Sequence, residues 1–131
     1  MMPEMEPGLV EIASQLGFEA TLERVVTAIE SAGLIVFAKI DHAGAAQKAG
    51  LAMPATVVLI YGHAKGGTPL MLAAPACALD LPLRVLVRQD GEGSIVSFHP
   101  IAAVLLAAGV PENMANRLDP AQRLIAQAVQ S

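Results

Sequence analysis

Two short apolar segments constrain the fold more than any other feature of the sequence. LIVFAKI (residues 34–40) and TVVLIY (residues 56–61) are apolar at nearly every position, and β-branched residues dominate the second. Such segments are typical of central β-strands that are covered on both sides. Between them, Asp41 can cap a short helix that Gly50 closes. A linker of roughly a dozen residues that contains a helix is what a parallel crossover needs. We therefore predict that the two strands are parallel neighbours.

Hydrophobic periodicity predicts the remaining elements. Alternating patterns predict strands, and apolar residues at helical spacing predict helices that begin at capping residues or at proline. The predicted strands are LVEIAS (9–14), LPLRVLVRQ (81–89) and SIVSF (94–98), and the predicted helices begin at Thr21, Thr68-Pro69, Pro100 and Asp119-Pro120. Gly33 stands where the first of these helices needs a left-handed residue at its C-terminus.

The turn residues DGEG join the last two strands into a hairpin. In the first of them, Leu83, Val85 and Val87 point to one face of the sheet, whereas Arg84, Leu86 and Arg88 point to the other. These elements predict a single mixed α/β domain of two or three layers, with a mixed sheet of about five strands and helices packed on it. Residues 9–131 form this domain, and residues 1–8 are predicted to be a mobile N-terminal segment.

Composition favours a homodimer. Apolar residues make up 54% of the chain and charged residues 15%, against roughly 25% charged residues in ordinary globular domains. A surface short of charge is typical of subunit interfaces, and most soluble oligomers are symmetric. The net charge is −4 and the basic residues are scattered, so nucleic-acid binding is disfavoured.

The ends and the cysteine content also exclude classes of protein. The start of the chain is acidic, which does not fit a signal peptide, and no apolar run is long enough to span a bilayer. We therefore expect a soluble, cytoplasmic protein with no membrane partner. The single cysteine, Cys77, excludes an intrachain disulfide and a CxxC motif, and is predicted to be a small buried residue.

Parallel strands would bring their carboxyl ends to one side of the sheet, where open α/β sheets usually bind ligands. Asp41 and His42 would then approach the segment GHAKGGTPLM (62–71). In that segment Gly66 and Gly67 can turn backbone N–H groups inward, Thr68 opens a helix, and His63 and Lys65 lie beside them. A small anion suits this place, although a purely structural loop is the alternative, because the pattern is not the GxxxxGK[ST] phosphate loop.

The Asp41-His42 pair also suggests general acid–base chemistry, with His42 titrating near neutral pH. The alternative is an aspartate that caps a helix, beside a histidine whose ring is hydrogen-bonded by backbone carbonyl groups. His42, His63 and His99 are too far apart for local metal-ligand pairs, so no metal site is predicted. Arg84 and Arg88 lie on one strand face, where they form either an anion clamp or a solvated or dimer-contact surface.

Three segments together resemble the Domain of Unknown Function 302 family of bacteria and archaea. They are FAKIDHAGAA (37–46), PATVVLIYGHAKGGTPLM (54–71) and ALDLPLRVLVRQDGEG (78–93). The resemblance implies a single α+β domain of the kind found as homodimers, and it implies no reaction. The recurrent polar positions of the family correspond to Asp41, His42, Lys65, Thr68, Asp80 and Arg84. The chain departs from the family at His63-Ala64, where Asn-Pro is common, and at Arg88, where an aromatic residue is common.

Three functional hypotheses follow. The first is a ligand-binding domain that holds a small anionic or polar molecule at the strand ends, through Asp41, His42, His63, Lys65, Gly66, Gly67, Thr68, Asp80 and Arg84. The second is an enzyme in which His42 is the acid or base and Lys65 stabilises negative charge. The third is a structural or partner-binding homodimer. No sequence motif indicates a particular cofactor, so the cofactor is unknown.

Overall fold

The computed structural model describes residues 8–130, and the predicted mobile segment lies outside them except for Gly8. The strands are β1 (Val10–Ser14), β2 (Ile35–Asp41), β3 (Thr56–Gly62), β4 (Leu83–Asp90) and β5 (Gly93–Phe98). The α-helices are α1 (Phe18–Ser31), α2 (His42–Lys48), α3 (Ala64–Ala73), α4 (Ile101–Ala107) and α5 (Asp119–Gln130), and a 3-10 helix covers Pro75–Asp80. The predicted α+β domain with five strands is confirmed.

The sheet has the order β1-β5-β4-β3-β2, and every neighbouring pair is antiparallel. The prediction of a mixed sheet is therefore wrong, and so is the prediction that β2 and β3 are parallel. In the observed register Ile35 pairs with Gly62 and Asp41 pairs with Val57. The two strands run in opposite directions, so their carboxyl ends lie at opposite ends of the sheet.

The length of the linking helix explains this error. Helix α2 has 7 residues and is about 10 Å long, whereas a strand such as β2 with 7 residues extends over about 23 Å. A helix that short cannot carry the chain back along a whole strand, as a parallel crossover requires. The chain instead turns at the end of β2 and re-enters the sheet from the same end.

Helices α1 and α5 cover one face of the sheet. Val57, Leu59 and Tyr61 of β3 point into this core, and α1 contributes Val25 and Ile29. Leu83, Val85 and Val87 of β4 are buried there as well, as the alternating pattern predicts. The opposite face, which we call the open face, carries half-buried side chains from β3 and β4. The central strands are therefore covered fully on one side only, unlike the expectation from their apolar composition.

Helix α1 begins one turn earlier than predicted. Gly17 occupies the N-cap position, and Thr21 lies inside the helix, where it is buried. The Thr21 and Ser94 hydroxyl oxygens are 2.6 Å apart, so the threonine side chain links α1 to β5 instead of capping a helix. Gly33 follows the helix with a φ of 80°, as predicted.

Within residues 8–130 no helix is both long enough and apolar enough to cross a membrane. The structure describes one chain, so the predicted homodimer stays a prediction.

Candidate functional site

The antiparallel register separates the residues that the sequence places in one site. Asp41 and His42 follow β2 at one end of the sheet, whereas His63 and Lys65 follow β3 at the other end. From Val57, the partner of Asp41, to Gly62 the strand advances about 17 Å. One chain therefore has no common cleft for His42 and Lys65, and the predicted joint site at the strand ends does not form within it.

Asp41 caps helix α2, which agrees with the alternative interpretation of this residue as a helix cap. One of its carboxylate oxygens, Oδ1, accepts a hydrogen bond from the backbone N–H of Gly44 at 2.9 Å, which fits an N-cap aspartate. His42 lies on the open face, beside Ile40, whereas Asp41 lines a depression against α1 on the other face. The side chains of Asp41 and His42 therefore lie on opposite faces of the sheet and line different depressions.

The segment GHAKGGTPLM forms a helix earlier than predicted. Helix α3 begins at Ala64, because Nδ1 of His63 accepts a hydrogen bond from the Lys65 backbone N–H at 3.1 Å and caps the helix there. The predicted helix start at Thr68 is wrong, since Thr68 and Pro69 lie inside the helix. His63 precedes Thr68 by more than one helical turn, and its ring nitrogen already caps the helix there.

The predicted anion cradle of Gly66 and Gly67 is also absent. Both backbone N–H groups donate to the His63 carbonyl oxygen, at 3.0 and 3.1 Å, and neither glycine has a positive φ. These donors already belong to the first turn of α3, so they do not converge on a bound anion.

A pocket of about 600 Å³ lies between α3, the start of α5 and the neighbouring ends of α1, β2 and β3. We call it the α3 pocket. Its polar side chains are those of His63, Thr68 and Arg117. Lys65, which is exposed, does not line it. The other walls are formed by glycine, proline and apolar residues: Ala32, Leu34, Phe37, Gly62, Ala64, Gly66, Gly67, Met71, Leu81, Pro82, Leu83, Leu118, Pro120, Ala121 and Leu124.

Two local features give the α3 pocket its shape. A β-carbon at Gly66 would stand 3.2 Å from Cδ2 of Leu118, so glycine allows α3 to approach the segment before α5 closely. In β2 the register shifts between Val36 and Ala38, which leaves Phe37 as an additional residue. Such a bulge redirects a side chain, and Phe37 lines the pocket although it is 51% exposed.

The polar side chains of the α3 pocket can all donate hydrogen bonds. Because Nδ1 of His63 accepts from Lys65, the neutral imidazole carries its proton on Nε2. Within residues 8–130 the Arg117 guanidinium has no ion-pair partner. Sequence reasoning missed Phe37 and Arg117. The only available signal for Arg117 was a basic residue just before the helix start at Asp119-Pro120.

A second depression of about 580 Å³, which we call the open-face groove, crosses the open face. It contains three of the predicted site residues, His42, Asp80 and Arg84, together with Ser97 and His99. Arg88 does not line it. That guanidinium instead lies 3.6 Å from the carboxylate of Glu11, so Arg84 and Arg88 do not form one anion clamp.

No group of three or more histidine, cysteine, aspartate or glutamate side chains in the described part of the chain is arranged to hold a metal ion. Cys77 is completely buried. Burial and, to a smaller extent, the Asp80 carboxylate raise the pKa of its thiol. A thiol that is inaccessible and protonated is a poor nucleophile, so Cys77 contributes to packing, as predicted.

Comparison with solved structures confirms the fold. The crystal structure of an uncharacterized conserved DUF302 protein from Bacillus stearothermophilus superposes with a TM-score of 0.80. The match covers 93% of this chain and 95% of that one, at 13% sequence identity. At this level of identity the likeness concerns the fold alone.

Curated relatives are longer proteins. The chain is 38% identical over 91 residues to the fluoride-specific ion channel FluC 1 of Brucella suis biovar 1 (strain 1330), a match that covers 70% of this chain and 36% of the relative. The protein of the same name from Brucella abortus biovar 1 (strain 9-941) is also 38% identical, with 34% of its length covered. The chain thus spans about a third of the length of the curated relatives it matches.

The sequence model of the family described as "Domain of unknown function DUF302" matches residues 10–131. This range contains all three segments that carry the resemblance. The chain belongs to the DUF302 family.

Proposed function

We propose that this domain binds a small molecule with an apolar body and one anionic group in the α3 pocket. The observation that carries the proposal is the combination of apolar walls with two unused donors, Arg117 and Nε2 of His63, around one cavity. Binding sites for small molecules are usually of this kind, with a few polar groups set into an apolar lining.

The apolar walls of the α3 pocket indicate that the larger part of the ligand is apolar. The volume of about 600 Å³ falls within the range of roughly 300 to 1,000 Å³ that is usual for ligand sites. Phe37, Met71 and Leu118 come from three separate segments and supply walls for an apolar body. A small inorganic anion would leave most of this apolar surface in contact with water, so the ligand is an organic molecule.

The polar side chains of the pocket indicate that the smaller part of the ligand is an anionic group. Arg117 carries a permanent positive charge, and its planar guanidinium can donate two parallel hydrogen bonds to a carboxylate or sulfonate. The Nε2 proton of His63 and the Thr68 hydroxyl add neutral donors. This arrangement retains the anionic part of the sequence-based hypothesis and assigns it to Arg117 in place of Lys65.

Titration with anilinonaphthalene sulfonate tests the proposal, because this fluorescent probe has an apolar body and one sulfonate. We expect saturable binding to the native protein and displacement by decanoate more effectively than by decanol. Phe37→Ala and Arg117→Gln should each weaken probe binding by about tenfold. Arg117→Gln should also remove the preference for decanoate over decanol.

Two matched variants serve as controls. Leu72→Ala removes an exposed leucine of α3 that does not line the pocket, and Arg123→Gln removes an exposed charge of α5 outside it. Both should bind the probe as the unmodified chain does. Probe binding that ignores Phe37→Ala and Arg117→Gln would contradict the proposal.

The names of the curated relatives support a second, narrower candidate. These relatives are named fluoride-specific ion channels, and about two thirds of their length lies outside the match. The second candidate is therefore a domain that binds the fluoride ion itself. Thermal unfolding in sodium fluoride and in sodium chloride at equal ionic strength tests this idea. A rise in melting temperature with fluoride alone would support it, and equal melting temperatures would exclude fluoride as the ligand.

A further inference from the structure

The open-face groove contains polar groups that the proposed function does not use. Ser97, Leu86, Val58 and Ile40 form one row across four strands, because Ser97 pairs with Leu86, Leu86 with Val58, and Val58 with Ile40. Arg84 and His99 both line the groove as well. Asp80 precedes β4 at that end of the groove. The groove thus has charged groups at one end and an apolar row beside them.

Ser97 is the least expected residue of the groove. It is 3% exposed, and its hydroxyl is the only buried side-chain oxygen or nitrogen in the described part of the chain without a hydrogen-bond partner. Buried hydroxyl groups in native proteins are nearly always paired. Because Ser97 lines the groove, a molecule bound there would supply the partner that the protein does not.

The charged groups at the end of the groove are likewise available. Within residues 8–130 neither the Arg84 guanidinium nor the Asp80 carboxylate makes an ion pair. His99 is held in place through its backbone: its carbonyl oxygen accepts from Nε2 of Gln122 at 2.9 Å, while Oε1 of Gln122 accepts from the Ile101 N–H at 3.0 Å. The backbone of His99 is therefore anchored at the groove, and within residues 8–130 its ring nitrogens make no hydrogen bond.

We propose that the open-face groove binds an α-amino acid with an apolar side chain. Such a molecule has one anionic and one cationic group on the same carbon, which complements Arg84 and His99 on one side and Asp80 on the other. The Ser97 hydroxyl donates to the carboxylate. The apolar side chain lies along Leu86 and Val58. This site is separate from the α3 pocket and does not depend on it.

Calorimetric titration of the full chain carrying Arg117→Gln, which removes the guanidinium of the α3 pocket, with L-leucine tests the proposal. Leucinol and 4-methylpentanoate serve as analogues that lack the carboxylate and the ammonium group, respectively. We expect saturable binding of L-leucine and at least about tenfold weaker binding of either analogue. Arg84→Gln should weaken leucine binding by about tenfold. Asp80→Asn should weaken the binding of leucine but not of 4-methylpentanoate, since only leucine carries the cation. Ser97→Ala should weaken leucine binding and 4-methylpentanoate binding alike.

Arg88→Gln is the matched control, because Arg88 lies on the same strand and face but outside the groove, beside Glu11. It should leave leucine binding unchanged. Melting temperatures of all variants show that each one folds. Arg84 is exposed, so its replacement should disturb the fold least.

Three results would overturn the proposal. The first is no heat with L-leucine up to about 10 mM, and the second is leucine binding that Arg84→Gln and Asp80→Asn do not change. The third is a change of molecular mass in light scattering for these variants without leucine binding, which would make the groove a contact between copies of the chain. Probe binding at the α3 pocket is measured separately, so either proposal can fail while the other stands.

Discussion

The Tyr61 hydroxyl donates a hydrogen bond of 2.9 Å to the Ala121 carbonyl oxygen. This contact joins the end of β3 to the first turn of α5 beneath the α3 pocket, which Ala121 also lines. Tyr61 is completely buried, so its hydroxyl depends on this one acceptor. The contact therefore holds α5 against the sheet at the place where the candidate ligand site forms.

Replacement of Tyr61 by phenylalanine removes this hydrogen bond and keeps the ring. We expect the free energy of unfolding to fall by about 1 kcal/mol, measured by urea denaturation. The slope of the free energy against urea concentration should stay the same, because the same surface is exposed on unfolding. An unchanged stability would mean that the contact contributes nothing net.

Alkaline pH should destabilise the protein through the same residue. Burial raises the pKa of Tyr61 above its ordinary value, so the folded state holds the phenolic proton more tightly than the unfolded state does. The resulting stability is complete below the pKa of the unfolded chain, about 10, and is lost progressively as the pH rises from there toward the raised pKa of the folded state. Tyr61 is the only tyrosine, so tyrosinate absorbance reports its ionisation directly. The Tyr61→Phe variant should lose less stability between pH 8 and pH 11 than the unmodified chain.

Asp41 should tolerate the loss of its charge. Asp41→Ala removes the acceptor for the Gly44 N–H and should lower the free energy of unfolding by about 1 kcal/mol. Asp41→Asn keeps a side-chain oxygen at the N-cap and should cost only a small part of that. Urea denaturation of both variants distinguishes the two cases. Equal destabilisation would show that the negative charge, and not the cap, is what matters.

Gly67→Ala should stabilise the protein and weaken ligand binding. Gly67 lies inside α3 without a positive φ, and alanine in a helix interior is favoured over glycine by about 1 kcal/mol. A β-carbon there would meet Met71 Cε at 3.7 Å and Leu81 Cδ1 at 3.8 Å, both ordinary contacts. The added methyl group takes up space at the wall of the α3 pocket. Thermal unfolding and probe titration measure both effects, and unchanged affinity would mean that the ligand does not reach this wall.

Cys77 should resist thiol reagents in the native state. It is completely buried, and burial together with the Asp80 carboxylate raises the pKa of the thiol, so little thiolate forms at neutral pH. Reaction with a disulfide reagent should be slow in buffer and fast in concentrated urea. Rapid reaction of the folded protein would show that the core around the 3-10 helix opens readily.

Local patterns were sufficient for the elements and for several of their details. The alternation of Leu83, Val85 and Val87 identified the buried face of β4, and Gly33 identified the end of α1, because both signals arise from a few consecutive residues. Competition between neighbouring caps was harder to judge. Helix α3 begins after His63 and not at Thr68. A histidine is not a usual capping residue, so the sequence did not indicate this start.

The sequence by itself determined the family, the order of the elements and which residues of most strands face the core, since these follow from local motifs and side-chain period. Only the tertiary structure decided the direction of β2 against β3, and with it the separation of His42 from Lys65. It also brought Phe37 and Arg117 to the α3 pocket, and Arg84 and His99 together in the open-face groove. The physical reason is that strand direction and cavity walls depend on contacts between segments far apart in the chain, which no local pattern encodes.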